Sequence, residues 1–528
     1  MSKDFKWKFP YPSKRMPILA KNIVATSQPL ASQAGLQMIL KGGNAIDAIL
    51  ASAIALTVVE PTNNGIGSDA FAILWDGKKL VGLNASGKSP AAWTPEYFAK
   101  YNKMPQFGWD ATTVPGAVSA WVELSKKYGQ LSFKELFEPA IKYARDGFLV
   151  SPITAELWNP LSRIYKKFPE FCNAFLRNGK APKPGDLFKF PAQARTLKII
   201  ADTEGQDFYH GELAKKIVNH AKNTGGLMIL EDLENHRLMW VNPIKIKYKD
   251  VELHEIPPNG QGLAALIMLG ILKNFDISSY NPDSVESIHT QLEAMKLALA
   301  DAHRYISDLS TLEFDPKSFL ESEYLKKRAN LIDLKKAQNF NHGVPKRSDT
   351  VYLTTADDNG MMVSFIQSNY FGFGSGIVIP DTGISLQNRG ACFTLEENHP
   401  NQVGPNKRPY HTIIPAFVTR NNEPLMSFGV MGGAFQPMGH VQMMVRIFEY
   451  QQNPQTAIDA PRWQIKDGLN VSVEPGFNEH TVEGLKTLGH NVSKSHFVEF
   501  GGAQLVYRLE SGYFAASEPR KDGQAVGF

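Results

Sequence analysis

The stretch "KRSDTVYLTTADDNG", residues 346–360, changes abruptly from a basic, polar segment to a strand-like one at Thr350. The β-branched and aromatic residues of "TVYLTTA" predict a strand, and "MMVSFIQS" after the Asn-Gly turn predicts its hairpin partner. If Ala356 pairs with Met361, Thr350 lies beside Ser368, unless a bulge shifts the register by one residue. By residue type alone, Thr350 simply opens a strand next to the loop "NYFGFGSG".

Thr350 could instead be a reactive residue if the chain were cut directly before it. A threonine hydroxyl is a weak nucleophile unless a base lies beside it. A break between Asp349 and Thr350 would create an α-amine next to the hydroxyl, and its pKa of about 7.7–8.0 suits a general base near neutral pH. The branched Cβ restricts χ1 and helps to aim the oxygen. The polar, lysine-rich segment from about 310 to 349 predicts the exposed connector that such a cut requires.

The composition is that of an ordinary globular protein, and 528 residues allow roughly two to four domains. With 56 basic and 52 acidic residues and no dense Lys/Arg block, nucleic-acid binding is not predicted. Two cysteines, Cys172 and Cys392, exclude a disulfide framework. The N-terminus has no apolar run typical of a secretory signal, and the most apolar stretch, residues 45–60, is too short to cross a bilayer. We therefore predict a cytoplasmic protein with no membrane partner.

Apolar patterning predicts a mixture of helices and strands. The predicted helices include "AIDAILASAIALTVVE", capped by Asn44, and the long segment "SVESIHTQLEAMKLALADAHRYISD". Residues 116–240 are mostly helical in pattern, "AFAILWDGKKLVGL" predicts a strand, and strands dominate from residue 350 onward. This mixture predicts a layered α/β (α+β) architecture.

Several short motifs resemble known sites without their structural context. "GLNASGKS", residues 82–89, matches the P-loop pattern, but Pro90 disfavours the helix that must open there, so a nucleotide site is the weakest hypothesis. "GFGSG" precedes a strand-like "IVIP" and not a helix. The thirteen histidines contain no H-E-x-x-H and no close Cys/His grouping. We predict no metal and no organic cofactor.

The chain resembles the γ-glutamyltranspeptidase family of N-terminal-nucleophile hydrolases over nearly its whole length. The segments that carry the resemblance occur in the family's order: "GLQMILKGGNAIDA", "VEPTNNGIGS", "TTVPGAVSAW", "EPAIKYARDGF", "GELAKKIV", "PPNGQG", "SDTVYLTTADDNGM", "GFGSGIV", "LQNRG", "GPNKRPYHTIIP", "VMGGAFQP", "APRW" and "EPGF". The resemblance implies a precursor that cuts itself into a large subunit, 1–349, and a small subunit, 350–528. The two subunits would stay associated and build one four-layer αββα fold.

The resemblance also implies roles for particular residues. Thr350 matches the family's nucleophile, and Ser368 matches the hydroxyl that hydrogen-bonds it. Gly432 and Gly433 match the glycines of the oxyanion hole, where backbone N–H groups hold the negative charge of the tetrahedral intermediate. Without the family match, this glycine pair would predict only a tight turn.

The chain departs from the family pattern at positions that bind the γ-glutamyl group. Family enzymes hold the substrate α-carboxylate with an arginine in the segment resembling "NASGKSP", where this chain has Ser86. They hold the α-amino group with an aspartate where this chain has Cys392. The asparagine expected after the nucleophile's hydroxyl partner is Tyr370, and a serine pair is replaced by His411 and Thr412. Ordinary γ-glutamyl recognition is therefore in doubt.

Arg389 stands where the family typically has a neutral glutamine, and the lid stretch between Phe393 and Gly404 is short. A planar guanidinium suits bidentate binding of a carboxylate, although a structural salt bridge would explain it equally well. In these features the chain is similar to the branch of the family that contains oxamate amidohydrolase and some cephalosporin acylases. The hypothesis is an amidohydrolase for a small, acidic amide such as oxamate, with Arg389, Tyr370, His411 and Thr412 binding the substrate. The alternatives are a genuine γ-glutamyltransferase or glutathione hydrolase, and an unprocessed relative that only binds a ligand.

Overall fold

The computed structural model describes Tyr11 and residues 15–312, 314–340 and 349–528. The part of the predicted connector directly before the proposed cut, residues 341–348, lies outside the described residues, and Asp349 is described by its backbone alone.

The strands are numbered β1 to β21 along the described chain: Ile18–Ala20, Ile23–Thr26, Asp69–Trp75, Leu80–Ala85, Phe148–Leu149, Leu187–Phe188, Met239–Val241, Ile244–Tyr248, Val251–Glu255, Asp349–Ala356, Met362–Tyr370, Val378–Ile379, Ile384–Ser385, Ala416–Arg420, Glu423–Met431, Trp463–Asp467, Asn470–Val473, Asn491–Lys494, Gly502–Leu509, Gly512–Ser517 and Gln524–Gly527.

The α-helices are numbered α1 to α17 in the same way: Pro29–Leu40, Ala45–Val59, Pro95–Phe98, Ala117–Tyr128, Glu138–Asp146, Pro152–Tyr165, Pro169–Phe175, Pro191–Asp202, Gln206–His210, Glu212–Asn223, Leu230–Glu234, Gly262–Leu272, Val285–Tyr305, Ser322–Ala329, Gln436–Met444, Pro454–Asp459 and Glu479–Thr487.

Two seven-stranded antiparallel sheets form the centre of the molecule. One has the order β1-β20-β19-β15-β14-β9-β8, and the other has the order β21-β2-β10-β11-β3-β4-β7. Each sheet therefore combines strands from before and after Asp349, so the two parts of the chain build one shared core.

Apolar side chains place the two sheets face to face between two layers of helices. Phe71 and Tyr352 of one sheet meet Phe417 and Val506 of the other in a shared apolar cluster. A second cluster joins the outer face of the β10 sheet to α1, α2, α4, α5 and α8. A third joins the β15 sheet to α12, α13, α15 and α16. This is the predicted four-layer αββα arrangement.

Helix α2 shows how the sequence determines one of these layers. Asn44 caps it by accepting from the amides of Ile46 and Asp47, and Asp47 in return accepts from the Asn44 amide. All fifteen of its residues are buried, because it packs between α1, α4, α5 and strand β10. The absence of a polar face in its sequence follows from burial on every side.

The hairpin that carries Thr350 differs by one residue from the predicted register. Ala356 pairs with Met362 and not with Met361. The reason is that Asp357 closes a wider turn: its carboxylate accepts from the Asn359 and Met361 amides. Asn359 therefore belongs to a longer loop than predicted.

Two other predictions change in detail. "AFAILWDGKKLVGL" forms the hairpin β3–β4 and not one strand, because Asp76 accepts from the amides of Lys78 and Lys79 and turns the chain. The segment after residue 310 is not only an exposed connector, since α14 lies within it and buries Leu325. The P-loop context is absent: the chain runs from β4 to α3 without a helix at residues 87–89, and the Gly87 amide donates to the protein's own Asp69. Within the described residues, no helix is both long and apolar enough to cross a bilayer.

Glu60, which directly follows α2, is a buried carboxyl with a shifted pKa. It accepts from Ser27 Oγ and Asn63 Nδ2, both at 2.5 Å. Burial raises its pKa to about 7 despite the nearby positive charge of Lys521. The folded state then holds a proton that the unfolded chain releases near pH 4.5, so this contribution to stability is full at acidic pH and is lost as the pH rises through about 7.

We expect the Glu60→Gln variant to lose less thermal stability than the wild type between pH 5 and pH 8, because a neutral amide has no proton to release there. The difference between the two losses should be about 2 °C. Thermal unfolding followed by circular dichroism at both pH values measures it. Equal losses in the two proteins would show that Glu60 does not titrate as stated.

Candidate active site

Thr350 lies at the start of β10, where the pairing with β11 is irregular. Asp349 pairs with Tyr370 but Val351 pairs with Gln367, so Ser368 and Asn369 both lie opposite the single residue Thr350. The sequence-based register allows for such a bulge, and the hydroxyl groups of Thr350 and Ser368 lie together beside it.

The hydroxyl of Thr350 is fully buried and hydrogen-bonded on both sides. Its Oγ1 donates to Ser368 Oγ at 3.1 Å, and Ser368 Oγ also accepts from the Tyr370 amide at 2.8 Å. The side-chain amide of Gln436 donates to Thr350 Oγ1 at 3.5 Å. The predicted neighbours Thr350 and Ser368 are therefore in contact, and Gln436 is a third member that the sequence did not indicate.

The glycine pair lies on the turn that leads from β15 into α15. Gly432 has φ +136° and Gly433 has φ +59°, conformations that L side chains rarely adopt, and a Cβ at Gly432 would lie 3.0 Å from the Cα of Gly501. Gln436, three residues further on, reaches Thr350 from the same turn. In the described part of the chain, the Gly432 and Gly433 amides make no hydrogen bond. Both N–H groups are free to donate to a substrate oxygen.

Arg389 is a buried guanidinium with unused hydrogen-bonding capacity. Its Nη1 donates to Thr412 Oγ1 at 2.5 Å, and its guanidinium lies 4.9 Å from the centre of the Tyr370 ring. Its Nε and Nη2 make no hydrogen bond of normal geometry within the described residues, although the Cys392 side chain lies close enough to interact with the guanidinium. Burial lowers the pKa of Arg389 below its ordinary value. Unpaired donors on a fully buried group are costly, and a planar anion such as a carboxylate could accept from both.

His411 is held by Asp69. Its Nε2 lies 3.1 Å from Asp69 Oδ2, and its Nδ1 accepts from the Ile413 amide at 3.4 Å, so Nε2 carries the proton and donates to the carboxylate. Asp69 also accepts from the amides of Gly87 and Gly116. Burial lowers the pKa of His411 far below its ordinary value and raises the pKa of Asp69 to about 7. The imidazole is therefore neutral, with both ring nitrogens engaged inside the protein.

Gln261 connects the Arg389 region to the glycine turn. Its Nε2 donates to the carbonyl oxygens of Thr412 at 2.5 Å and Gly433 at 2.8 Å. Its Oε1 accepts from the Tyr410 hydroxyl at 2.8 Å. Three of the residues predicted from the sequence, Arg389, Thr412 and Gly433, are thus joined through Gln261, and Thr412 contacts both Arg389 and Gln261.

Ser86 and Cys392, which stand where family enzymes have charged groups for the substrate, carry no charge here. Ser86 Oγ donates to Asn84 Oδ1 at 2.7 Å and accepts from Asn259 Nδ2 at 3.2 Å, so it is fully used inside the protein. Cys392 lies three residues after Arg389 and interacts electrostatically with Arg389 and Tyr370, and burial raises the pKa of its thiol. A neutral thiol does not balance the charge of a substrate ammonium group.

A cavity of about 690 Å³ lies against Tyr370. Part of the short lid stretch forms one side and the loop after α3 forms the other. Its walls are largely apolar, with lining residues that include Tyr101, Met104, Pro105, Phe393 and Leu395. Tyr370 therefore stands between this space and the Thr350–Ser368 pair, and its backbone has φ +78°, a strained conformation for a residue with a side chain.

One cluster elsewhere has the side chains of a metal centre. The ligand atoms of His289, Glu293 and His490 lie within 4.8 Å of one another, although the sequence shows no local grouping. The Lys296 ammonium already pairs with Glu293, and His289 Nδ1 is hydrogen-bonded to His490 Nε2 at 2.8 Å. This arrangement fits a buried hydrogen-bonded contact between α13 and the chain after α17 better than a cation site.

The sequence did not indicate Asp69, Gln261 or Gln436 as parts of the site. Each is a polar residue next to a recognised glycine-containing segment, but nothing local marks its contacts, which form only when distant loops meet. The order of the segments around "GGAF" and "NGQG" was the only signal that pointed near them.

Comparisons with known proteins agree with this geometry. The family model described as gamma-glutamyltranspeptidase matches residues 31–528. The glutathione hydrolase-like YwrD proenzyme of Bacillus subtilis is 36% identical, covering 96% of this chain and 98% of the relative. The oxamate amidohydrolase proenzyme of Klebsiella pneumoniae is 34% identical, covering 94% and 97%. The crystal structure of a cephalosporin acylase from Bacillus halodurans matches with a TM-score of 0.94 and 45% identity over 99% of both chains. The predicted family, branch and fold are confirmed.

We expect Thr412→Val to destabilise the protein, because it removes the described hydrogen-bond acceptor of a buried guanidinium. The cost should be about 1–3 kcal/mol, seen as a lower melting temperature. Thr412→Ser keeps the hydroxyl and serves as the control. A valine variant as stable as the serine variant would contradict the importance of this contact.

Proposed function

Because the chain belongs to the γ-glutamyltranspeptidase family, we propose that it cuts itself before Thr350 and then hydrolyses a small, acidic amide. It is an enzyme with amidohydrolase or acyltransferase activity. The large part would be residues 1–349 and the small part residues 350–528, and the shared sheets would keep them associated.

In the proposed self-cleavage, Thr350 Oγ1 attacks the carbonyl carbon of Asp349. The C–N bond breaks, the Thr350 nitrogen takes up the proton from the hydroxyl, and an ester forms. Water then hydrolyses the ester to give the Asp349 carboxylate and a free Thr350 hydroxyl and α-amine. Support comes from the contact with Ser368, which already accepts the hydrogen of the attacking hydroxyl.

In turnover, the Thr350 α-amine would act as the base that the hydroxyl lacks. The hydroxyl oxygen attacks the amide carbonyl of the substrate, and the amine passes the proton on to the leaving nitrogen. The free amides of Gly432 and Gly433 would hold the negative oxygen of the intermediate, each such donor being worth roughly 2.7–4 kcal/mol. Water, or an acceptor amine, completes the cycle by attacking the acyl-enzyme.

The observation that carries the proposed substrate class is the pair of unpaired donors on buried Arg389. A substrate carboxylate would satisfy Nε and Nη2 together, as bidentate pairing requires. His411 and Thr412 would fix this side of the pocket, and Tyr370 would cover it. One relative is named as an oxamate amidohydrolase, and oxamate has a carboxylate directly beside its amide.

A second candidate is glutathione hydrolysis or γ-glutamyl transfer, because other relatives are named as glutathione hydrolase proenzymes. The neutral side chains of Ser86 and Cys392 argue against it, since an α-amino acid head group needs opposite charges at both ends. Comparing glutathione with oxamate on the processed enzyme separates the two candidates. An unprocessed ligand-binding relative is the third, and it requires one full-length chain on a denaturing gel.

We expect Thr350→Ala to remain one full-length chain with no amidase activity, because it lacks the attacking oxygen. The wild type should give two fragments, and N-terminal sequencing of the smaller one should begin at Thr350. Thr355→Ala, on the same strand, is the control for altered folding. An active enzyme that stays uncut, or activity in Thr350→Ala, would refute the proposal.

We expect Arg389→Gln to raise the KM for oxamate about 10- to 100-fold, because hydrogen bonds to a charged group contribute about 1.5–3 kcal/mol. The rate with an uncharged amide such as propionamide should change much less. Arg389→Lys keeps the charge without the planar fork and should show an intermediate KM. Unchanged kinetics with oxamate would show that Arg389 does not bind the carboxylate.

A further inference from the structure

Gln436 is a fully buried polar residue at the first position of α15. Its Nε2 donates to Thr350 Oγ1 at 3.5 Å. None of the chemistry described above uses it, yet it contacts the one oxygen on which that chemistry depends.

The orientation of the Gln436 amide is determined by its other contact. Its Oε1 accepts from the backbone amide of Ile414 at 2.9 Å. A backbone N–H can only donate, so the oxygen must face Ile414 and the NH₂ group must face Thr350. The side chain is therefore a fixed hydrogen-bond donor aimed at the threonine oxygen.

This contact completes the hydrogen bonding of the Thr350 hydroxyl. The hydrogen points to Ser368 Oγ, and one lone pair accepts from Gln436. Because the hydrogen and one lone pair are engaged, the remaining lone pair has a defined direction. A donor at this oxygen also stabilises it as it loses its proton, and again when it leaves the acyl-enzyme.

The position of Gln436 is tied to the glycine turn. It follows Gly433 by three residues, and its Oε1 accepts from the Ile414 amide. Gln261 hydrogen-bonds the carbonyl oxygens of both Gly433 and Thr412, which lies two residues before Ile414. The donor to the threonine oxygen and the amides of the turn are therefore positioned by the same set of contacts. A long contact in a resting site can shorten when substrate binds.

We propose that Gln436 is a catalytic residue, whose side-chain amide donates to Thr350 Oγ1 and stabilises this oxygen in both self-cleavage and turnover. The proposal rests on the proposed function, because it requires Thr350 to be the nucleophile. It goes beyond that function by assigning a side-chain donor to the nucleophile in addition to the backbone donors.

The decisive variant is Gln436→Glu, which keeps the oxygen that faces Ile414 and replaces the NH₂ group by an oxygen. A carboxylate cannot donate, whereas a protonated carboxyl can. We expect self-cleavage and kcat to fall about 100-fold at pH 8, with KM for oxamate changed less than about 3-fold. The ratio of variant to wild-type rate should rise as the pH is lowered and the new carboxyl takes up a proton.

Gln442→Glu is the matched control, since Gln442 is a buried glutamine on the same helix whose amide bonds Met438 and Trp463 instead. It should cleave and turn over at the wild-type rate with no pH-dependent ratio. Gln436→Met, which cannot donate at any pH, should stay slow throughout. If Gln436→Glu is not cleaved at all at pH 8, no processed enzyme is available for measuring kcat. The rate of self-cleavage at lower pH is then compared with that of wild type.

Any one of three results would overturn the proposal. The first is a Gln436→Glu rate within 3-fold of wild type, and the second is a loss of rate equal to that of Gln442→Glu. The third is a ratio of Gln436→Glu to wild-type rate that does not change with pH. These outcomes leave the proposed function standing if wild type cleaves and Thr350→Ala does not. Activity in Thr350→Ala would instead remove the basis of both.

Discussion

The pairing of β10 with β11 is the constraint on which the site depends. Where the register shifts beside Asp349, two residues of β11 lie opposite Thr350, and the threonine hydroxyl meets Ser368 Oγ at 3.1 Å. An uninterrupted ladder would continue the Val351–Gln367 register and pair Thr350 with Ser368 alone, whereas the extra residue of β11 brings Tyr370 opposite Asp349. Gln367, the partner of Val351, lies in the core, where it accepts from Trp121 and donates to Asn64. Gln436 reaches the same hydroxyl from the start of α15, so the strand pair and the turn before α15 together fix its surroundings.

Sequence patterns predicted the elements that local chemistry controls. Helix α2 follows from its Asn44 cap and its continuous apolar run, and the Thr350 hairpin follows from alternating strand-like segments. The wider turn was missed because it depends on where the Asp357 side chain points. Arg389, Thr412 and Ser368 were identified through resemblance, but their contacts were not. Gln436 and Asp69 could not be predicted, because their partners are far away in the sequence and meet them only after two sheets pack together.

The buried Arg389 shows a conflict between stability and recognition. A fully buried guanidinium with unpaired Nε and Nη2 lowers the stability of the folded protein. Other contacts stabilise the folded structure of this region, namely the Asp69–His411 pair and the hydrogen bonds of Gln261. In the proposed function, an anionic ligand that accepts from both groups would remove this cost. Its binding would need no reorganisation of the donors.

Each sheet contains strands from both sides of the Asp349–Thr350 bond. While that bond is intact, every strand is tethered to its neighbours, and folding needs no encounter between separate molecules. If the bond is broken and the molecule is then denatured, the two polypeptides can meet again only by diffusion. They no longer have the high effective concentration that the tether provided. Assembly would become second order, so dilution would oppose it. The persistence of a cut molecule would then depend on how slowly it comes apart and not on how readily it forms again.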